Sequence, residues 1–483
     1  MKEEKFLKKL KEEIPLPSEN AFYSFTSFQK FMIFILSVFL IYIFYLHFKK
    51  GTYLPYYIIS SIYLILCFHK FFLVILGILR NKEIKVSRED ILFFKDWPTY
   101  TILLPLYREK EIFPQLFRAI ENIDYPKDKL EVILLLEEDD KELLEYLENW
   151  ELPSWWKKIV IPNFQPKTKG KALNYGLKIA QGKYLVIYDA EDIPEPDQLK
   201  KAAVAFSKVE ENVVCLQSKL NYYNPYQNIL TKWFTSEYSC WFDLYLPGID
   251  ALNAPIPLGG TSNHFKTEIL KKLNGWDPFN VTEDCDLGIR IFKEGYKTKV
   301  LDTTTWEEAN SKLRNWIKQR SRWVKGYIQT FFVHTRKPFS LIRKIGIVNF
   351  LHFVLIVGGN FFVLCFNPIA WVLLIIWILS PEHACFPNLF FKIVTPILLF
   401  GNAVFVMINV LGCLKRRYYR LIIPSLLSPI YWLLMSIGAW KGAFQLLKKP
   451  HFWEKTDHAL FFQPVKEVLE ESIFEIEEKS RLN

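Results

Sequence analysis

The run Lys183–Tyr188 (KYLVIY) is followed directly by Asp189-Ala190-Glu191-Asp192. Its apolar residues are continuous rather than alternating, which predicts a strand buried on both faces, as in a mostly parallel sheet covered by helices. Three carboxylates in four residues then stand where this strand ends. Because chemistry in open parallel α/β sheets gathers at the carboxyl ends of the strands, this stretch predicts both a fold class and the edge of a site.

The surrounding sequence alternates between strand-like and helix-like patterns. Helical patterns are found in Glu111–Asn122, Lys169–Gln181 and Pro196–Lys208. Short apolar runs typical of strands are found in Thr101–Leu106, Glu131–Leu136, Lys157–Ile161 and Val213–Gln217. This alternation predicts an α/β domain over residues 80–340. Polar clusters at Tyr107/Glu109 and at Glu137–Asp140 follow the first two strands, so we expect them at the same edge of the sheet as the acidic run.

Apolar segments flank the predicted domain on both sides. As a helix, Phe28–Phe48 would span about 31 Å, the thickness of a hydrocarbon core, and Tyr53–Leu79 is a second span. The C-terminal apolar runs are Ile345–Phe366, Ile369–Ser380, Leu389–Leu414 and Leu421–Leu447. The second of these is too short to cross a membrane untilted. The fourth contains two prolines, so a re-entrant or interfacial segment is an alternative to a full span.

These shifts in composition predict five parts of the chain. They are a basic N-terminal segment (1–27), two transmembrane helices (28–79), the α/β domain (80–340), three to four membrane or interfacial helices (341–447) and a cytoplasmic tail (448–483). Basic residues beside the N-terminal spans favour the cytoplasm for the α/β domain. We therefore expect a multi-pass protein of the plasma membrane or cell inner membrane with its catalytic domain in the cytoplasm.

Composition narrows the classes of partner. The net charge is +10, and hydrophobic residues make up 51% of the chain. The Lys and Arg residues flank apolar segments rather than forming one stripe, so a lipid bilayer is the expected partner and nucleic acid is not. The seven cysteines show no Cys-x-x-Cys spacing, which disfavours a disulfide framework or a zinc site.

The charged motifs inside the domain each allow two interpretations. Asp189–Asp192 offers oxygen ligands for a hard divalent cation, but acidic residues are equally typical of a helix N-terminus. Thr282-Glu283-Asp284 precedes an amphipathic pattern over Asp286–Glu294, and it fits either a general base or helix capping. Capping is favoured for that motif alone. Lys169 and Lys171 either neutralise phosphates or lie in a solvated turn.

The stretch Gln319-Arg320-Ser321-Arg322-Trp323 lies where the charged domain gives way to the apolar C-terminal third. If residues 310–332 are helical, Gln319, Arg322 and Trp323 share one arc of about 100°. Such an arc can present an aromatic platform flanked by hydrogen-bond donors. A juxtamembrane helix with its Trp at the lipid headgroups is the alternative, and it is favoured for these five residues taken alone.

Taken in order, these motifs resemble the membrane-embedded family 2 glycosyltransferases of the processive β-glycan synthase type, such as cellulose, curdlan and mannan synthases. The resemblance covers about residues 95–340 and rests chiefly on Thr282-Glu283-Asp284 and Gln319–Trp323 at their spacing. Phe452–Thr456 is similar to the tail of a bacterial branch of this family. The resemblance implies an α/β GT-A fold with Rossmann-like nucleotide-sugar binding, Mg²⁺ or Mn²⁺ as cofactor, and inversion at the anomeric carbon.

The resemblance also implies roles for the matching residues. Asp284 would be the catalytic base, and Asp189 and Glu191 would hold the metal. Asp192 stays an alternative ligand, because the family pattern has Asp at the second acidic place. Donor-binding residues would be Tyr107, Glu109, Glu137, Asp139, Lys169 and Asp189. The leaving diphosphate and the acceptor sugar would be bound by Glu283, Gln319, Arg322 and Trp323. The cluster at 137–140 lacks the family's Asp-Asp-Gly/Ser, so its register is open by one or two residues.

The expected function is inverting transfer of a sugar from a nucleotide-sugar to a growing polysaccharide by a processive enzyme. UDP-glucose is the favoured donor, and this preference rests only on the branch of the family that the sequence resembles. The expected partners are the donor, a glycan acceptor, the lipid bilayer, and export or assembly subunits. One alternative is non-processive transfer of a single sugar to a lipid-linked acceptor. A second alternative is a catalytically silent membrane receptor or assembly protein built on this fold.

Overall fold

The soluble part of the protein is built on a mixed eight-stranded sheet. The structure, a computed structural model, describes residues 2–50, 54–379, 388–456, 461 and 464–470. The strands are β1 (Tyr100–Leu106), β2 (Leu130–Glu137), β3 (Trp156–Ile161), β4 (Tyr184–Ile187), β5 (Ile193–Pro194), β6 (Val213–Tyr222), β7 (Asn263–Lys266) and β8 (Lys297–Glu307). Their order across the sheet is β3-β2-β1-β4-β7-β6-β8-β5.

The pairing confirms the predicted α/β class and the expected mostly parallel sheet, in which six of the eight strands run in one direction and β5 and β7 run in the other. Strands β3, β2, β1 and β4 are parallel, whereas β7 runs antiparallel between β4 and β6, and β5 is antiparallel to β8. The register pairs Leu106 of β1 with Leu136 of β2 and Leu103 with Ile187 of β4. The residues that follow these three strands therefore meet at one edge of the sheet, as predicted.

Helices surround the sheet and form the flanking apolar parts. The α-helices are α1 (Lys2–Glu13), α2 (Ser27–Lys50), α3 (Leu54–Leu79), α4 (Arg88–Phe93), α5 (Phe113–Glu121), α6 (Lys141–Glu148), α7 (Lys169–Ile179), α8 (Gln198–Lys208), α9 (Ile229–Cys240), α10 (Leu246–Ala251), α11 (Thr267–Lys272), α12 (Glu283–Lys293), α13 (Leu313–His334), α14 (Pro338–Phe353), α15 (Gly359–Leu379), α16 (Asn388–Lys415), α17 (Ile422–Leu426) and α18 (Ser428–Lys448). Short π-helical segments join α9 to α10 and α14 to α15.

The two faces of the sheet bury different hydrophobic cores. Ile102 and Leu104 of β1 point into the core covered by α5, α6 and α8. Leu103, between them, points into the other core, which contains residues of α7 and α12. That second core continues without a break to Tyr63 of α3 and Ile356 beyond α14. Because alternate strand residues face opposite sides, one face of the sheet is packed directly onto the apolar helices.

Several helices are long and apolar enough to cross a membrane. Among the described residues these are Ser27–Leu46, Tyr57–Leu79, Pro338–Leu379 and Lys392–Lys415. Tyr419–Leu426 and Ser428–Lys448 form a pair bent by 67°, which would be a fifth span if it crosses as one unit. The break expected between residues 366 and 369 is absent, because α15 continues through Pro368. The prolines of the fourth run lie at the bend, at Pro424 and Pro429.

Some expectations fall outside the described residues. The predicted tail is described only as far as Thr456, at Phe461, and over residues 464–470, and Cys385 is also outside. The six described cysteines are free thiols.

The N-terminal segment (residues 1–27 of the sequence prediction) packs against the α/β domain. The backbone N–H of Ala21 donates to Asp277 Oδ2 at 2.6 Å. The side-chain amide of Asn174, on α7, donates to the carbonyl of Pro15 at 3.0 Å. Leu10, Ile14 and residues near them form a small core with Phe279. This packing brings the start of the chain close to the loop that precedes α12.

Candidate active site

A cavity of about 580 Å³ opens where β1, β2 and β4 end. All but one of the sequence-predicted site residues line it: Tyr107, Glu109, Glu137, Lys169, Asp189, Glu191, Glu283, Asp284, Gln319, Arg322 and Trp323. The exception is Asp139, which lies just behind the wall and accepts a hydrogen bond from the Tyr107 hydroxyl at 3.3 Å. Motifs separated by more than 200 residues in the chain therefore share one cavity.

The acidic loop after β4 is held by its last carboxylate. Asp192 is fully buried, and its Oδ2 accepts from the backbone N–H of Asp189 at 2.7 Å and from the hydroxyl of Thr261. Burial and the charges of Asp189 and Glu191 raise the pKa of Asp192 well above its ordinary value. These bonds give Asp192 a role in shaping the loop, so Asp189 and Glu191 are the carboxylates left to line the cavity.

Lys169 places a positive charge beside Asp189. Its ammonium group forms an ion pair with Asp189 Oδ1 and donates to the carbonyl of Gly260 at 2.8 Å. Burial alone would lower the pKa of Lys169, but the charges of Asp189 and Glu283 outweigh it and raise that pKa. Lys169 stands in the first turn of α7, whose N-cap Thr168 accepts from Lys171 N. The cation and the N-terminal turn of α7 therefore line the same part of the cavity.

The Thr282-Glu283-Asp284 motif begins α12, three residues earlier than the amphipathic pattern indicated. Thr282 is at the N-cap position, as the capping interpretation expected, but its side chain makes no capping hydrogen bond. Instead Thr282 is wedged against α13, because a Cβ at Gly326 would lie 2.7 Å from the Thr282 Cβ. This close packing fixes where Glu283 and Asp284 project.

Asp284 has the environment of a proton acceptor. Burial raises its pKa to about 6, and the charge of Asp189 adds to that rise. Burial and the charge of Asp284 raise the pKa of Glu283 to about 7. Asp284 Oδ1 is buried and has no hydrogen-bond partner among the residues that the structure describes. An unpaired buried oxygen destabilises the folded protein by about 1–3 kcal/mol, and such groups are typical of functional sites.

Gly260 keeps a space open between two of these carboxylates. A Cβ built on Gly260 would stand 3.5 Å from Asp284 Oδ2 and 4.0 Å from Asp189 Oδ2. Both oxygens thus approach a single point in the cavity. The loop that contains Gly260 is held there by Asn263, whose side-chain amide donates to the carbonyl of Gly259 at 2.6 Å.

The Gln319–Trp323 stretch lies on α13, and its predicted arc faces the cavity. Trp323 stacks on Tyr238 of α9, with ring centroids 6.1 Å apart and planes at 27°. The guanidinium of Arg322 is 5.0 Å from the ring of Trp453, and its Nη1 is buried without a hydrogen-bond partner in the described part of the chain. These contacts exclude a purely lipid-facing role for the arc.

A second buried arginine in the same stretch supports the aromatic platform. Arg320 Nη1 donates to Glu237 Oε1 at 3.0 Å, and its other Nη donates to Tyr431 of α18 at 2.7 Å. Its guanidinium also lies 4.6 Å from the centroid of Trp323. Sequence reasoning missed Glu237 and Tyr431, because no motif lies near either residue. Glu237 lines the cavity directly, whereas Tyr431 supports the site through Arg320.

The segment after α18 closes the end of the cavity that is lined by Tyr107 and Glu109. Lys455 donates to the carbonyl of Tyr107 and pairs with Glu109 Oε1 at 3.1 Å. His451 Nδ1 is 3.1 Å from the carbonyl of Phe279, and its Nε2 is 3.0 Å from that of Phe22. Sequence reasoning singled out Phe452–Thr456 by resemblance alone and gave it no place in the site. The contacts with Tyr107 and Glu109 supply that place.

Glu137 is engaged within the protein. Its Oε2 pairs with the fully buried ammonium of Lys171 at 3.0 Å. Burial raises the pKa of Glu137, and the charge of Lys171 opposes that rise. Lys171 therefore balances a buried carboxylate and does not lie in a solvated turn, as the sequence allowed.

Carboxylates, basic side chains and an aromatic platform thus meet in one cavity at the strand ends of an α/β domain. The comparison with known families identifies the class of protein to which this arrangement belongs. The model of the family described as Glycosyl transferase family group 2 matches residues 184–440, more than half of the chain. The chain therefore belongs to this family, as predicted.

Curated relatives fall in the same class. "Probable glycosyltransferase YdaM" of Bacillus subtilis (strain 168) is 26% identical over 322 residues, covering 63% of this chain and 73% of the relative. "Glucomannan 4-beta-mannosyltransferase 2" of Arabidopsis thaliana is 24% identical, covering 63% of this chain and 58% of the relative. "Probable glucomannan 4-beta-mannosyltransferase 15" of the same plant is 26% identical, covering 54% and 48%. The chain thus spans about half the length of these plant relatives.

Among solved structures, one similar chain is a mannosyltransferase from Pyrobaculum calidifontis in complex with GDP-Man and Mn²⁺. It shares 17% sequence identity, and the superposition covers 81% of this chain and 99% of that one. The TM-score is 0.46, which is too low to support a functional argument.

Proposed function

We propose that this protein is an inverting membrane glycosyltransferase that adds sugars from a nucleotide-sugar to a growing polysaccharide. The observation that carries the proposal is the convergence of Asp189, Asp284 and Trp323 on one cavity, with Gly260 keeping the space between the two carboxylates open. Groups suited to hold a diphosphate through a metal ion, to accept a proton and to stack on a sugar ring therefore lie in one cavity.

The residues present fit a divalent cation. Among the described residues, no three His, Cys, Asp or Glu side chains converge as a complete metal site. Mg²⁺ in nucleotide sites is typically held by one or two carboxylates together with the substrate phosphates. Asp189 and Glu191 supply that number, so they would hold Mg²⁺ or Mn²⁺ once a donor is bound. The cation would neutralise charge that develops on the leaving diphosphate.

The protein's own groups account for the rest of the reaction. Lys169 and Arg322 present positive charge to the leaving nucleoside diphosphate. Asp284 takes the proton from the attacking acceptor hydroxyl, which forms a bond to the anomeric carbon as the bond to the diphosphate breaks on the opposite face. Trp323, stacked on Tyr238, holds the acceptor sugar in line, so positioning contributes much of the rate.

The donor end can be assigned from the lining residues. We propose that Tyr107, Glu109, Glu137 and Asp139 border the base and ribose, with Lys455 of the closing segment holding the first two. Glu283 and Gln319 would contact the diphosphate or the acceptor. Gln319 already accepts a hydrogen bond from Asn310 at 3.3 Å, so its amide is oriented before any sugar arrives.

Lining residues from the apolar helices favour processive synthesis over transfer of one sugar. The cavity extends past Trp323 to Trp241, and it is also lined by Asn360 of α15 and Met435 of α18. A product leaving the platform in this direction passes between the α/β domain and helices of membrane-spanning length. We propose that these helices carry the chain across a plasma or cell inner membrane, with residues 80–340 in the cytoplasm. Non-processive transfer to a lipid carrier remains the alternative.

The donor sugar has two candidates. The family branch favours UDP-glucose, whereas the plant relatives are named glucomannan mannosyltransferases, which favours a mannosyl donor such as GDP-mannose. The experiment is incubation of membranes containing the full chain with each labelled donor and Mg²⁺ or Mn²⁺. The expected result is a polymer formed from one of them, identified by size and linkage analysis. Transfer of a single sugar to lipid would select the alternative, and no transfer from any donor would favour a catalytically silent protein.

A further inference from the structure

Glu307 is a cavity carboxylate that none of the sequence motifs contains. It is the last residue of β8 and is partly buried in the cavity wall. Within the described part of the chain its carboxylate makes no side-chain hydrogen bond and no ion pair. The adjacent Trp306 points the other way, into a small core with Ile193 and Tyr223. The strand alternation thus aims Glu307 alone into the cavity.

The position of Glu307 lies between the acidic loop and the aromatic platform. Strand pairing sets Glu307 opposite Tyr222 of β6. The ring of Tyr222 is 4.4 Å from that of Tyr238, which in turn stacks on Trp323. On its other side Glu307 feels the charges of Asp192, Glu191 and Asp189, which together with burial raise its pKa well above the ordinary value.

We propose that Glu307 binds a hydroxyl group of the acceptor sugar that stacks on Trp323, and thereby orients that sugar towards Asp284. This inference rests on the proposed function. The two oxygens of a carboxyl group can form hydrogen bonds with two sugar hydroxyls at once, whereas an indole ring fixes only the plane of the sugar. Stacking and hydrogen bonding together define the rotation of the ring, which decides the hydroxyl presented to the base.

A role as a metal ligand fits the geometry less well. Asp189 and Glu191 already supply the one or two carboxylates that Mg²⁺ typically takes besides the substrate phosphates. Asp192 is already committed to Asp189 and Thr261. Glu307 therefore belongs to the acceptor side of the cavity.

The test compares the full-length wild type with Glu307→Gln in detergent. The probes are the donor found active, mannohexaose or cellohexaose as acceptor, and water as the competing acceptor. Replacing one carboxyl oxygen by an amide nitrogen removes a hydrogen-bond acceptor, which predicts a fall of about tenfold in the acceptor kcat/KM. Donor hydrolysis without acceptor, the donor KM and the metal concentration for half-maximal hydrolysis should stay within about twofold, because the donor side is untouched.

Matched variants separate the outcomes. Asp302→Asn removes a partly exposed carboxylate from the same strand, where it pairs with Lys219 outside the cavity, and should leave the ratio of transfer to hydrolysis unchanged. Glu307→Asp should keep part of the acceptor affinity and serves if Glu307→Gln does not fold. An unchanged acceptor kcat/KM overturns the inference, as does a parallel loss of hydrolysis and metal affinity. If the wild type itself transfers no sugar, the proposed function fails instead.

Discussion

Adding a single methyl group at Gly260 should lower the rate of transfer without lowering the stability of the fold. The Cβ of Gly260→Ala would stand 3.5 Å from Asp284 Oδ2 and 4.0 Å from Asp189 Oδ2, which are ordinary contact distances. No positive φ is recorded at Gly260, so alanine fits the backbone. Replacing glycine at a compatible position stabilises a fold by about 0.4–1 kcal/mol through the unfolded chain. The free energy of unfolding should therefore be equal or slightly higher.

The same methyl lies where the acceptor hydroxyl and the anomeric carbon must meet. A displacement of about 1 Å from the reactive geometry costs about 100-fold in rate, equivalent to about 2.7 kcal/mol of activation free energy. We therefore expect transfer to fall about 100-fold. Hydrolysis of the donor by water should fall less, because water needs less space.

The assay is initial-rate transfer and acceptor-free hydrolysis by purified full-length protein, with thermal unfolding measured in parallel. Gly259→Ala is the matched control, since its methyl would meet Phe242 Cζ at 3.2 Å and Leu220 Cδ1 at 3.3 Å rather than the carboxylates. It should lower stability slightly and transfer only modestly. If Gly260→Ala keeps more than about a third of wild-type transfer, the space between Asp189 and Asp284 is not where the reaction occurs.

Three further outcomes follow from the same site. Because burial raises the pKa of Asp284 to about 6 and a protonated carboxyl cannot accept a proton, transfer should fall about tenfold per pH unit below that value, as a kcat/KM profile against pH will show. Trp323→Ala should slow elongation at least tenfold while donor hydrolysis changes little; equal losses in the two assays would leave the helix with a structural role only. Arg320→Ala leaves Glu237 without its buried partner and should lower the free energy of unfolding by about 3 kcal/mol, measured by denaturant titration with the exposed Lys344→Ala as control.

The sequence was most informative where a local pattern is sufficient. Continuous apolar runs located β1 and β2 to within one residue at each end. It was uninformative for β7, which has only four residues and owes its strand conformation to β4 and β6 on either side. The mostly parallel character of the sheet could thus be predicted, but its two reversed strands, β5 and β7, could not, because their pairing depends on contacts between distant segments.

The site, too, could be predicted where a local motif marks the residues and not where the contacts join distant segments. Eleven of the twelve residues predicted from the motifs line one cavity, because the strands that precede several of them end at the same edge of the sheet. Glu237, Glu307 and Tyr431 were missed, since each is a single polar residue in a stretch without a motif. Glu307 had one available signal: a carboxylate ending a strand-like run twelve residues before Gln319. The structural role of Asp192 could not be predicted either, because its partner Thr261 is remote in sequence.

The most direct test of the account is transfer by Asp284→Asn. The amide keeps the shape of the side chain but cannot accept the proton of the acceptor hydroxyl. The account predicts that full-length Asp284→Asn binds the nucleotide-sugar with nearly wild-type affinity, as measured by calorimetry with Mg²⁺ or Mn²⁺, and forms less than about a thousandth of the polymer. Substantial polymer formation by a folded Asp284→Asn protein would contradict it and remove Asp284 from the mechanism.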